Sequence, residues 1–297
     1  MSNRREFIQC AGASAIALAC PAVAEVATRI ASRPIPGTGE RLPIVGLGNS
    51  TVFRDGDVAR TRDLLTLFMK HGGAYVDTAG RSRFTVGQFV RQKNAHDQLF
   101  LGTYVGATDP HEMRKELASV QEAQGGGTLD LVLTRNIGDY VDNPWKYRQL
   151  KDAGITRYVG VARHQVRFHE PMMQLIEARV VDFVQVNYSL LEPESDRRVL
   201  PTARDKGVAV ITNRPFINGE YFSIVRGREL PYWAAEFDCD SWAQFTLKFI
   251  LSNPAVNCVL TETSNLKHAL DNLGAGLGRL PDEKMRKRML EVIREIA

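Results

Sequence analysis

Eight short apolar runs, the helically spaced segments between them, and polar chemistry gathered at the ends of the runs predict an α/β protein built as a single closed (β/α)8 barrel, a TIM barrel. A length of 297 residues admits one such barrel or two small domains, and the unbroken alternation favours the first. Hydrophobic residues at 44%, with 24 Gly and 13 Pro spread along the chain, exclude a disordered, collagen-like or coiled-coil protein. The net charge of +4, from 38 basic and 34 acidic residues, is too balanced for a dedicated nucleic-acid binder. Cys10, Cys20, Cys239 and Cys258 lack CxxC or clustered Cys/His spacing, so no metal is expected.

Residues 1–24 stand apart as an export signal. Asn3-Arg4-Arg5-Glu6-Phe7-Ile8 matches the twin-arginine pattern, and the small apolar run Cys10–Cys20 has signal length and is too short to span a bilayer. Ala22-Val23-Ala24 then offers an A-x-A cleavage site; lipidation at Cys20 is a weaker variant, because Ala17 suits a lipobox poorly. Cleavage after Ala24 leaves 273 of the 297 residues and removes Arg4, Arg5 and Glu6, giving a net charge of +3. A periplasmic or secreted location and passage through the twin-arginine machinery are the expectation. That route carries proteins already folded, so a cofactor can be inserted before export.

In the mature chain, residues 25–42 read as an N-terminal segment and hairpin, and residues 43–297 as the barrel. The eight expected strands are Pro43–Gly48, Ala74–Thr78, Leu99–Tyr104, Asp130–Asn136, Tyr158–Arg163, Phe183–Ser189, Val208–Arg214 and Cys258–Ser264. Between them, Met113, Leu117 and Val120 fall at helical spacing, as do Leu266, Ala269, Leu270 and Leu273 on one face. Asp109-Pro110 and Asn143-Pro144 set a cap residue before a first-turn proline. The long loop 215–240 carries Tyr221, Phe222, Tyr232, Trp233 and Phe237, as a lid over a site would or as packing would.

In such barrels chemistry sits at the C-terminal strand ends. Those ends hold Asp77, Tyr104, Arg135, Arg163, Asn187 and Arg214, with Thr263 and Ser264 at the last strand. An acid, a phenol and a guanidinium thus lie on three consecutive strands. Arg135, Arg163 and Arg214 can offer planar forks to a carboxylate or phosphate, unless Asp77, Glu262 or Glu220 neutralises them. His164, just past strand five, can reach the mouth, whereas His71, His96, His111 and His169 fall in or beside helices.

From Ile35 to about Leu280 the chain resembles the aldo-keto reductases. The segments carrying the resemblance are Ile35 to Pro43 with Gly46-Leu47-Gly48, Gly73 to Ala79, Gly160-Val161, Val184 to Leu191, and Pro254 to Asn272. The resemblance implies a barrel of aldo-keto reductase type, NADP(H) as cofactor and carbonyl/alcohol redox chemistry. It makes Asp77 the family's catalytic Asp, Gln185 the holder of the nicotinamide amide, and Thr263, Ser264, Asn265 and Asn272 cofactor-binding residues. It also implies a depleted catalytic tetrad, because Ser82, Tyr104 and Arg135 stand where the family has Tyr, Lys and His. Ala162-Arg163 replaces the carboxamide-binding Ser-Asn pair, Thr212 falls at the nicotinamide-stacking position, and Glu262 replaces a Gly in the phosphate segment.

Two functions follow from these residues. One is an exported reductase, its NADP(H) loaded before export, with Tyr104 as a relocated acid between Asp77 and Arg135 and with the Arg135 charge lowering the phenol pKa. The other is a non-redox lyase, isomerase or binding barrel that recognises an anionic small molecule through Arg135, Arg163 and Arg214, with Asn187 beside them.

Overall fold

A computed structural model describes residues 29–297, so the export signal of residues 1–24 lies outside the described residues. A short hairpin opens the fold: β1 (Ser32–Pro34) pairs antiparallel with β2 (Arg41–Pro43). Eight parallel strands follow, β3 (Val45–Leu47), β4 (Tyr75–Thr78), β5 (Phe100–Val105), β6 (Leu129–Thr134), β7 (Thr156–Ala162), β8 (Phe183–Asn187), β9 (Ala209–Asn213) and β10 (Cys258–Thr261). They close in the order β10-β3-β4-β5-β6-β7-β8-β9, the single barrel expected from the alternation.

Strand geometry divides the core into two layers, because successive side chains point to opposite faces. Tyr75, Phe100, Tyr104, Leu131, Leu133, Ala162, Phe183, Ile211 and Leu260 form one buried cluster, the barrel lumen. Val76, Leu101, Val132, Val159, Val184, Val210 and Val259 face the helices in the other. Each large apolar side chain so buried contributes roughly 1.5–3 kcal/mol. The same alternation aims Asp77, Tyr104, Gln185, Asn187 and Asn213 into the lumen, near the C-terminal rim.

Met113, Leu117 and Val120 are buried on the helix Pro110–Gln124, and Asp109 caps it by accepting from the backbone N–H groups of His111 and Glu112. Asn143 precedes the helix Pro144–Asp152 without capping it, its amide turning instead to Asp139 at 3.3 Å. On the helix Leu266–Gly274 the expected apolar face is corrected. Ala269 and Leu273 are buried, but Leu266 and Leu270 are 42% and 47% exposed, and Asn272 takes the third inward position. Cys239 and Cys258 are buried free thiols.

Candidate functional site

Asp77, the penultimate residue of β4, holds its carboxylate in the lumen, 5% exposed. Glycine at 102 makes room for this arrangement, since a Cβ there would collide with the Tyr75 hydroxyl and crowd Asp77. Tyr75 Oη donates to Asp77 Oδ1 at 3.2 Å, and Tyr104 Oη lies 3.0 Å from Oδ2. Burial raises the Asp77 carboxyl to about 7, with the hydrogen bonds of Tyr104 and Tyr75, the nearby Gln185 amide and the Arg135 charge acting against that rise.

Tyr104 is placed between Asp77 and Arg135, as its strand position suggested, but its acidity runs the other way. Burial first, then the neighbouring Asp77 charge, holds the phenol well above its usual value despite Arg135. Arg135 Cζ lies 4.4 Å from the ring centroid of Tyr104, stacked on the ring. The expected lowering by Arg135 is present but is outweighed by burial and by Asp77, so the phenol remains protonated. Its oxygen is also 2.7 Å from Gln185 Oε1, so one phenol proton faces two acceptors. The hydroxyl of Tyr104 thus bridges Asp77 and Gln185 across the lumen, within donating distance of both. Ser82 takes no part in it; its hydroxyl bridges the backbone of Ala79 at 2.8 Å and closes a turn.

The three arginines reach the same mouth. Arg214, just beyond β9 at φ 57°, lies 3.4 Å from Glu192 and not near Asp77, Glu262 or Glu220 as partner. Among the described residues, Arg135 and Arg163 have no carboxylate partner. Arg163 stacks on Phe168 at 4.5 Å and leaves its Nε buried without a partner. Partial burial lowers the pKa of His164 first, followed by the Arg214 charge, with Arg135 and Arg163 adding to it and Glu192 opposing.

Two amides at the rim are incompletely bonded: Gln185 Nε2 and Asn213 Oδ1 are buried and lack partners. Asn213 Nδ2 is 3.4 Å from Gln185 Oε1, so the two side chains adjoin. Thr212, expected at the stacking position, is corrected by the register. It pairs with Val186 and Val259 of the outer layer, which leaves Asn213 as the lumen-facing residue. Asn187 is likewise in the lumen but is engaged within the protein, donating to Glu192 Oε2 at 3.1 Å and lying 3.4 Å from His169 Nε2. It fixes Glu192 and thereby Arg214.

Beyond β10, Asn265 caps the helix Leu266–Gly274 by accepting from Lys267 N at 2.8 Å, and Thr263 Oγ1 accepts from Asn265 N at 3.1 Å. Ser264 Oγ accepts from Val52 N at 3.3 Å, tying this turn to the segment after β3. A cavity of about 330 Å³ lies between this turn and the long loop, lined by Phe216, Phe222, Trp242, Glu262, Thr263, His268 and Asn272. Of the loop aromatics, Tyr221, Trp233 and Phe237 are core packing, Tyr232 is 90% exposed, and Phe222 faces the cavity. Glu262 turns inward over Gly48, where a Cβ would meet its Cγ at 2.6 Å. Although the residue as a whole is exposed, the atoms crowded around its carboxyl raise its pKa, with Arg54 opposing. Among the described residues no group of three His, Cys, Asp or Glu could hold a metal.

Comparison with known proteins agrees with the fold. A family model described as the aldo/keto reductase family matches residues 45–289. The holo form of the aldo-keto reductase AKR11C1 from Bacillus halodurans superposes with a TM-score of 0.72 at 17% identity, covering 89% of this chain and 96% of that one. An aldo/keto reductase from Klebsiella pneumoniae in complex with NADP and acetate gives 0.67 at 18% identity, covering 87% and 94%. No curated protein matches the chain in sequence.

Proposed function

Because the chain belongs to the aldo/keto reductase family, we propose that it is an exported, NADP(H)-dependent carbonyl/alcohol oxidoreductase in which Tyr104 and Asp77 handle the proton. The observation that carries this reading is the pair of buried, unpartnered amide atoms, Gln185 Nε2 and Asn213 Oδ1, at the rim beside Tyr104. A donor and an acceptor side by side fit a primary carboxamide, and buried polar groups without partners are costly unless a ligand satisfies them. At the far end, the aromatic cavity lined by Phe216, Phe222, Trp242, His268 and Asn272 has the size and character for an adenosine. Between the two, Thr263, Ser264 and Asn265 border the route of a pyrophosphate, and the raised pKa of Glu262 lessens its repulsion. The Klebsiella pneumoniae structure contains NADP, which supports the same choice of cofactor.

When bound, the nicotinamide supplies or accepts hydride. The protein's part is proton transfer. With the tetrad positions for Tyr, Lys and His occupied by Ser82, Tyr104 and Arg135, it is Tyr104 that brings a phenol to Asp77 from the Lys position. Its hydroxyl gives its proton to the carbonyl oxygen, and Asp77, with a pKa of about 7, returns one to the phenol. A tuned carboxyl thus compensates for a phenol that is itself a weak acid.

Export follows from Arg4-Arg5, the apolar run Cys10–Cys20 and Ala22-Val23-Ala24, which together direct the folded chain through the twin-arginine machinery to the periplasm or beyond. A soluble NADPH pool is not at hand there, so the cofactor is loaded before export and held. The test is to denature protein recovered from the exported fraction and assay the released nucleotide. Near-stoichiometric NADP(H) is expected. Absence of nucleotide, together with no binding at high micromolar concentration, overturns the reading and leaves the anion-recognising, non-redox barrel, which the convergence of Arg135, Arg163 and Arg214 on His164 favours.

A further inference from the structure

Two positive charges stand unneutralised at the mouth. Arg163 is half-buried, has a buried Nε with no partner, and is lowered in pKa by partial burial and then by Arg135 and Arg167. Arg135, itself exposed, is the neighbouring cation, and neither has a carboxylate among the described residues, whereas Arg214 has Glu192. A guanidinium that is partly desolvated beside a like charge, as Arg163 is, is unfavourable unless an anion completes it.

The way the two guanidiniums are held says what kind of anion. Arg135 lies on the Tyr104 ring at 4.4 Å and Arg163 on the Phe168 ring at 4.5 Å. Stacking uses the flat faces and fixes their orientation, while the N–H edges remain for planar, paired hydrogen bonds of the sort a carboxylate accepts. Because Arg135 rests on the same phenol that donates the proton, an oxyanion on its edge lies only a few atoms from the reacting carbonyl.

Resting on the oxidoreductase reading above, we propose that the substrate is a 2-oxo acid, or in the reverse direction a 2-hydroxy acid, whose carboxylate is seated by Arg135 and Arg163. The net change is C=O plus hydride and proton giving CH–OH, with hydride from NADPH and the proton from Tyr104, and the carboxylate passes through unaltered. Arg214, held by Glu192 and Asn187, adds to the positive field without being the primary seat.

The probe pair is phenylglyoxylate and its methyl ester, which differ in the charge and keep the carbonyl. Their binding to the intact exported protein is measured by calorimetry, which needs no turnover. The acid is expected to bind at least about tenfold more tightly than the ester, and Arg163→Gln to erase that preference. Equal affinities on the unaltered protein overturn the proposal without need of any variant. Inorganic phosphate that displaces the acid at equal affinity also overturns it, since the seat is then for any oxyanion. The two readings separate cleanly. Acid preference in a protein that never binds a nicotinamide nucleotide removes the oxidoreductase and leaves the seat, whereas NADPH-dependent turnover with no acid preference removes the seat alone.

Discussion

Replacing Asp77 by Asn probes the proton chain through folding stability, independently of any substrate. The carboxyl lies in the lumen between two phenols, and burial raises it from an ordinary 3.8 to about 7. The folded protein therefore holds this proton more tightly than the unfolded chain does. The resulting stability is fully present below pH ~4 and is lost as pH rises through ~7, because above that value folding must bury a carboxylate. The whole difference is about 4 kcal/mol, of which about 2.5 kcal/mol is lost between pH 5 and pH 8. Asparagine keeps the size and a hydrogen bond to Tyr104 but has no proton to lose. Urea denaturation of both proteins across this range should show the variant gaining on the parent by about 2.5 kcal/mol from pH 5 to pH 8. A difference that stays constant with pH, or one that moves in favour of the parent as pH rises, refutes the buried-acid account. It would mean that Asp77 is an ordinary carboxylate, ionised throughout.

Three further outcomes are expected. Tyr104→Phe should lower kcat at least about 100-fold with dinucleotide affinity retained, and unchanged turnover in steady-state assays would remove Tyr104 as the donor. Gly102→Ala should destabilise the protein by about 1–3 kcal/mol in urea, because the new methyl group displaces the Tyr75 hydroxyl from Asp77. Phe222→Ala should weaken dinucleotide binding several-fold by fluorescence titration while leaving Tm within about a degree, since Phe222 is 41% exposed and lines the cavity. A drop in Tm with unchanged binding would instead make Phe222 a packing residue.

The barrel was legible because two periodicities run through the sequence together. Alternation along each strand sends Val76, Leu101 and Val184 outward and Tyr75, Phe100 and Phe183 inward, a pattern that only a sheet covered on both faces needs. Asp77, Tyr104 and Arg135 could be placed on neighbouring strand ends for the same reason. What failed did so by one residue or by one contact. Thr212 and Asn213 differ by a single position in β9, and strand pairing alone decides which faces the lumen. The net acidity of Tyr104 depended on how deeply the phenol is buried beside Asp77, which outweighs Arg135 and which linear spacing does not contain. Glu192 and Phe168 come from loops folded back over the rim, and no periodic signal points to them as partners of Arg214 and Arg163. Leu266 and Leu270 matched a helical stripe that the neighbouring elements do not fully cover.

The central claim is that the amides at the rim and the aromatic cavity together hold a nicotinamide dinucleotide. Titration of the nucleotide-free protein with NADPH, followed by its fluorescence, addresses that claim directly. The account predicts saturable micromolar binding that falls at least about tenfold when Gln185→Ala and Asn213→Ala are combined. Absence of saturation at high micromolar NADPH in a protein shown to be folded, or binding indifferent to both amides, would contradict it.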